Sequence, residues 1–187
     1  TLERVGDAVT SQGLVAVVRQ ADPTWPEPAT NDLVLVLWEV ADPGNVGTLV
    51  RAAVAAGAGA VVLVGGVDPT SPKVVRSSAG AVFGVDLVVF PGGAAEALGH
   101  LQAAGYETLA TVVDGGRPYD QVDLTGPVAL VVGNEAHGLP PEVVAAASRA
   151  VTIPMAGPTE SLNVAMAGTV VCFEALRQRR ATPGVTP

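Results

Sequence analysis

A single cysteine, Cys172, occurs among the 187 residues, which excludes an intrachain disulfide and a thiolate metal cluster. It sits on the apolar stripe of the last helical pattern and reads as a buried structural thiol. Aromatic residues make up only 4% of the chain, while Ala, Gly and Val dominate. That balance disfavours an aromatic-rich sandwich and suits thin strands against closely approaching helices. No apolar run reaches a membrane span, because Gly, Pro and charged residues interrupt each one. No basic segment leads into an apolar stretch at the start, so no secretory signal is read and the cytoplasm is the expected compartment. Basic residues are scarce, ten against 18 acidic, for a net charge of -8. This argues against a broad basic surface for indiscriminate nucleic-acid binding, though not against a narrow basic site. The only histidines, His100 and His137, are far apart without other ligand types around them, so no metal is expected. Neither GxGxxG after the first strand nor GxxxxGK[ST] occurs, which argues against a dinucleotide enzyme and a P-loop NTPase.

What is present is an alternation of strand and helix patterns, long enough for one domain. Strands are expected at 13–18, 33–38, 60–64, 87–90, 108–113, 128–132 and 149–153. Leu33 to Trp38 is continuously apolar, as in a strand buried on both faces of a parallel sheet. Between the strands, helices are expected after Asp42–Asn45, around 73–79, over 94–104, and from Pro140 and Pro141 to about Ala147. Gly57 and Gly59 read as the end of the first helix. The last helix is expected to start near Ser161, with Ser161 as its cap and Asn163 in its first turn. Its apolar face is read as Leu162, Ala165, Met166, Thr169, Val170, Phe173 and Leu176. On periodicity alone the architecture is a doubly wound, mostly parallel α/β sheet without a knot.

Ligands in open α/β sheets sit beyond the carboxyl ends of the strands. Polar loops fall there at Asp42–Asn45, Asp114–Gly116, Gly133–Gly138 and Pro154–Asn163. Each alone reads as an ordinary turn; their convergence on one edge points to a site. Arg51, in an Ala/Val/Gly helix, is either an exposed solubilising residue or a fixed cation near a phosphate or ribose oxygen. Glu135 either accepts hydrogen bonds from a ligand or ties down its own loop, and His137 either touches a ligand or is an exposed loop residue. Ser161 has no histidine base nearby, so nucleophilic hydrolysis does not follow.

Three ordered segments carry a resemblance. They are Asp42–Pro43–Gly44–Asn45–Val46–Gly47–Thr48–Leu49–Val50–Arg51, Leu130–Val131–Val132–Gly133–Asn134–Glu135–Ala136–His137–Gly138, and Ile153 to Ala165. With Pro72 to Gly80 between them, they make nearly the whole chain resemble the catalytic domain of SpoU/TrmH-type RNA ribose 2′-O-methyltransferases of the SPOUT class. The resemblance implies an α/β fold, a mostly parallel sheet flanked by helices, with a C-terminal deep trefoil knot. It also implies a homodimer binding S-adenosyl-L-methionine at the knot. It assigns cofactor contacts to Thr111, Val112, Val113, Gly115, Val132, Gly133, Asn134, Gly138, Ile153, Met155, Ser161 and Leu162. Arg51, Asn45, Glu135, Ser161 and Asn163 become the catalytic set, with Arg51 acting across the dimer interface, and Arg51, Lys73 and Arg76 the RNA contacts.

The reaction implied is methyl transfer to a ribose 2′-hydroxyl in ribosomal or transfer RNA, with donor and acceptor aligned by the protein. Arg51 would stabilise a developing alkoxide or orient a phosphate. A second reading is a non-catalytic knotted RNA-binding or interaction protein that keeps the pocket; Ala156, where family members often carry a basic residue, and the acidic balance point that way. The expected organisation is a segment 1–12, a catalytic domain 13–180 and a tail 181–187. Because the chain begins without methionine it reads as cut from a longer protein, with residues 1–12 an N-terminal segment or the remnant of a linker; the resemblance implies that the missing part is an N-terminal RNA-binding domain.

Overall fold

The computed structural model describes residues 16–19, 22–28 and 33–181. The terminal segment 1–12, residues 13–15 of the first expected strand and residues 182–187 of the expected tail lie outside the described residues. Residues 16–18 form no strand and are exposed, and Ala181 is still helical.

Among the described residues, seven parallel strands form one sheet in the order β3-β2-β1-β6-β4-β7-β5. They are β1 (Leu33–Trp38), β2 (Ala58–Val64), β3 (Asp86–Phe90), β4 (Glu107–Thr111), β5 (Arg117–Pro118), β6 (Val128–Val132) and β7 (Arg149–Thr152). The helices are α1 (Pro43–Ala55), α2 (Pro72–Ser77), α3 (Ala94–Ala104), α4 (Pro141–Ala146) and α5 (Val164–Ala181). The continuous apolar runs of β1 and β6 take the middle of the sheet, where both faces are covered. Alternate residues split into two cores. Leu35, Leu37, Leu63 and Leu130 pack under Val46, Leu49 and Val50 of α1 and Ala165, Val171 and Cys172 of α5. Val34, Val36, Val62 and Val131 pack on the other face with Ala97, Leu98 and Leu101 of α3 and Val143 of α4.

Asp42 starts α1 by accepting from the N–H groups of Gly44 and Asn45, with Pro43 in the first turn. Gly57 ends it with φ +80°, but Gly59 is part of β2, so only one of the two expected stop glycines acts as one. Strand β4 ends at Thr111, two residues earlier than expected, and Val112 and Val113 leave the sheet. The short β5, which has no apolar pattern, pairs with β7 at the edge.

The last helix departs most from expectation. It begins at Val164, and its cap is Asn163, whose Oδ1 accepts from the N–H of Ala165 at 2.8 Å and of Met166 at 3.3 Å; Ser161 is not the cap. Its buried residues are Ala165, Gly168, Val171, Cys172, Ala175 and Arg179, whereas Met166 and Phe173 are 54% and 44% exposed. Small residues form the inner seam because α5 lies close on α1: a Cβ at Gly168 would fall 2.4 Å from Leu49 Cδ2. Met166 and Phe173 therefore point the wrong way for a face chosen by hydrophobicity, while Leu176 packs partly against the core.

Candidate functional site

Loops following β4, β6 and β7 enclose a cavity of about 330 Å³ at the carboxyl edge of the sheet, floored by Val164, Ala167 and Val171 at the start of α5. Its size falls within the usual range for small-molecule pockets. Thr111, Val112 and Val113 form one wall, Gly133 to Gly138 a second, and Ile153, Met155, Ser161 and Leu162 a third. Val112 and Val113 reach the cavity because they have left the strand. The Thr111 hydroxyl donates to the Val131 carbonyl at 2.9 Å and the Thr152 hydroxyl to the Val113 carbonyl at 2.6 Å, which pins this wall to β6 and β7.

The second wall is a tight loop closed by paired backbone hydrogen bonds between Asn134 and Gly138 at 2.8 and 3.2 Å. Asn134 Oδ1 accepts from the N–H groups of Ala136 and His137, and its Nδ2 donates to the Glu39 carbonyl at 2.9 Å. Gly133 is required by crowding: a Cβ there would lie 2.4 Å from the Gly138 carbonyl carbon.

Glu135 ties this loop to the end of β1 and the start of α1. Its Oε2 accepts from the Ala41 N–H at 2.9 Å, and its Oε1 from the Asp42 N–H at 3.0 Å and Asn45 Nδ2 at 2.9 Å. Asn163 Nδ2 then donates to Asn45 Oδ1 at 3.1 Å. Loss of water around the Glu135 carboxyl works against its charge, but the hydrogen bonds from Asn45, Ala41 and Asp42 outweigh it and hold the group below its ordinary value. The chain Glu135–Asn45–Asn163 thus joins the three segments that carry the sequence motifs.

Not every expected residue reaches the cavity. Val132 lies fully buried in β6, and Gly115 sits in an exposed turn with φ +76°; neither lines it. Ser161 lines it, and among the described residues its hydroxyl has no hydrogen-bond partner. Arg51 is exposed on α1, outside the lining, and makes no hydrogen bond or ion pair among the described residues. Lys73 stands 3.9 Å from Asp42 as an exposed pair of little energetic weight, and Arg76 is exposed on α2. None of these three cations lines the cavity. His137 does, and so does Glu160, which had no role in the sequence reading although it adjoins Ser161.

Burial pushes the Cys172 thiol up to about 12, against a smaller opposing effect of Arg179, so this cysteine is an inert core residue. Among the described residues no group of His, Cys, Asp and Glu could hold a metal, and no helix is long and apolar enough to cross a membrane.

Residues 32–173 match the model of the SpoU rRNA Methylase family. An uncharacterized tRNA/rRNA methyltransferase of Synechocystis sp. is 37% identical over 98% of this chain and 68% of its own length. A 23S rRNA guanosine 2′-O-methyltransferase of Bacillus subtilis is 35% identical over 78% of this chain and 58% of its own. The structure of the AdoMet-bound rRNA methyltransferase from Sinorhizobium meliloti superposes with a TM-score of 0.76 at 38% identity, covering 81% of this chain and 58% of that one. The SpoU methyltransferase AviRb from Streptomyces viridochromogenes gives 0.77 at 32% identity, with 82% and 62% covered. The chain thus spans about 58 to 68% of the lengths of these relatives. Its helix-flanked, mostly parallel α/β fold is that of the SPOUT structures, known for their trefoil knots. By its motifs, its fold and these likenesses, the chain belongs to the SpoU rRNA methylase family.

Proposed function

We propose that this chain transfers a methyl group from S-adenosylmethionine to a ribose 2′-hydroxyl of ribosomal or transfer RNA in the cytoplasm. The observation that carries this reading is the Glu135–Asn45–Asn163 chain, which fixes three motif-bearing segments beside a cavity of ligand size. The donor set fits the cofactor. Val112, Val113, Ile153, Met155 and Leu162 offer apolar surface for a purine, while backbone groups of the 133–138 and 153–162 loops offer directed hydrogen bonds. When bound, S-adenosylmethionine supplies an activated methyl group on a positively charged sulfur.

The chain's own residues have separate tasks. Gly133 to Gly138 and Ile153 to Leu162 hold and orient the donor. Glu135 keeps Asn45 in place, and Asn45 and Asn163 hold the cavity's edge where an acceptor enters. Ser161, with its hydroxyl unengaged, positions the donor or the nucleotide. Arg51 lies outside this cavity, and among the described residues no Lys or Arg lines it. A homodimer in which a second copy covers the exposed Met166 and Phe173 of α5 and brings its Arg51 to this edge would complete the site. There Arg51 would stabilise a developing alkoxide or orient a phosphate, with the substrate phosphate available as the proton acceptor. Lys73 and Arg76 would contact the RNA backbone, the remaining grip coming from an N-terminal domain outside this sequence.

The test is transfer of a radiolabelled methyl group to total ribosomal and transfer RNA, followed by alkaline hydrolysis. A 2′-O-methyl group protects the adjoining linkage, so label is expected in alkali-stable dinucleotides. Cofactor binding without label in any RNA would favour the second reading, a non-catalytic knotted RNA-binding or interaction protein that keeps the pocket.

A further inference from the structure

Charge in the cavity is one-sided. Two acidic residues, Glu135 and Glu160, line it, and among the described residues no Lys or Arg does. They differ in how far their charge is already used. Both oxygens of Glu135 are held by donors from Ala41, Asp42 and Asn45. Glu160 accepts no hydrogen bond and makes no ion pair among the described residues. It is exposed on the loop that leads into Ser161, three residues before the Asn163 amide that meets Asn45 at the edge assigned to the acceptor.

A methyl donor must present its reacting sulfur to that edge. The donor carries a carboxylate, an ammonium and a sulfonium, for a net charge of +1. Loss of the methyl group leaves a neutral thioether and a net charge of zero. A carboxylate without a protein partner, partly desolvated by an entering ligand, favours whichever ligand brings the compensating cation. We propose that Glu160 is a specificity-determining residue that reads the sulfonium charge, holding the donor more tightly than the demethylated product and so favouring exchange of product for fresh donor. This rests on the cavity being the cofactor site.

Titration calorimetry of the chain and its Glu160→Gln variant tests it, with S-adenosylmethionine, S-adenosylhomocysteine and sinefungin, whose protonated amine replaces the sulfonium centre. The variant is expected to lose about fivefold in affinity for the two ligands charged at that position and less than about twofold for S-adenosylhomocysteine, as suits one solvent-accessible charge pair. The wild-type preference for the charged ligands should also shrink as salt is raised, because screening weakens the pair. An equal loss for all three ligands would overturn the inference, since it would assign Glu160 to the ammonium that they share, and an unchanged profile would overturn it as well. If the wild-type chain bound none of the three, the reading of the cavity itself would fall, an outcome distinct from either.

Discussion

Asn163 joins two side chains 118 positions apart by donating from Nδ2 to Asn45 Oδ1 at 3.1 Å, while its Oδ1 caps α5 on the Ala165 N–H. Both ends of one amide are committed, so the start of the last helix and the first turn of α1 are set relative to each other. Neither amide lines the cavity, but the start of α5 that Asn163 caps supplies Val164, Ala167 and Val171 to its floor.

Replacing this amide should therefore be felt in stability as well as function. Asn163→Ala removes a cap, at a cost of about 1 kcal/mol, and should lower Tm by about 2–4 °C in a chain of this size. Ser161→Ala, which removes a hydroxyl without a partner among the described residues, should leave Tm unchanged. Thermal melts followed by circular dichroism distinguish the two, and a larger drop for Ser161→Ala would contradict the assignment of the cap.

That pair of residues also marks where the sequence was legible and where it was not. The strands Leu33–Trp38 and Val128–Val132 and the helix Ala94–Ala104 follow from apolar runs and glycine boundaries, and the structure keeps those limits. The loops at the strand ends were visible as turn chemistry. The burial of α5 was legible only in part: Ala165 and Cys172 lie inside as read, but Gly168 and Ala175 complete the seam, because close approach selects small residues that a hydrophobic pattern does not rank highly. Nor could periodicity show that Glu135 reaches Asn45, since that contact depends on β1 and β6 lying side by side. Nothing in the pattern marks Glu160, because an acidic residue in a polar loop has the same signature whether it lines a cavity or faces solvent.

Gly133→Ala should damage the cavity more than the fold. The added methyl would meet the Gly138 carbonyl at 2.4–2.6 Å, in a loop whose two sides are held by backbone hydrogen bonds. Displacing that loop costs about 1–3 kcal/mol and moves the donors of the 133–138 wall. Calorimetry should find S-adenosylmethionine binding lost in a variant whose far-ultraviolet spectrum remains native.

Glu135 sets a pH dependence whose sign follows from its depressed ionisation. The hydrogen bonds it accepts favour the charged form, so its stabilising contribution is present above its ordinary value of 4.5 and is lost as pH falls through the lower folded-state value. Asp68, Asp123 and Glu174 are depressed as well and share that acid window. Glu135→Gln isolates one contribution: the variant should be less stable than wild type at neutral pH, and the difference should narrow below pH 4.5. A constant gap across acid titration melts would contradict it.

Cys172 provides a check on the packing of α5. Burial raises its thiol to about 12, so native protein should not react with a disulfide reagent at pH 8, whereas denatured protein should react completely and at once. Rapid reaction of the folded chain would mean that α5 does not lie on α1 and β6 as described.

In the proposed reaction, donor binding in a cavity at the strand ends is separate from acceptor activation by Arg51, which lies outside that cavity. Arg51→Ala tests that division most directly when cofactor affinity and RNA methylation are measured on the same preparation. Transfer should fall at least about a hundredfold, as for loss of a group that acts on developing charge, while the dissociation constant for S-adenosylmethionine stays within about twofold. Methylation that persists at the wild-type rate, or cofactor binding lost in a folded variant, would contradict it.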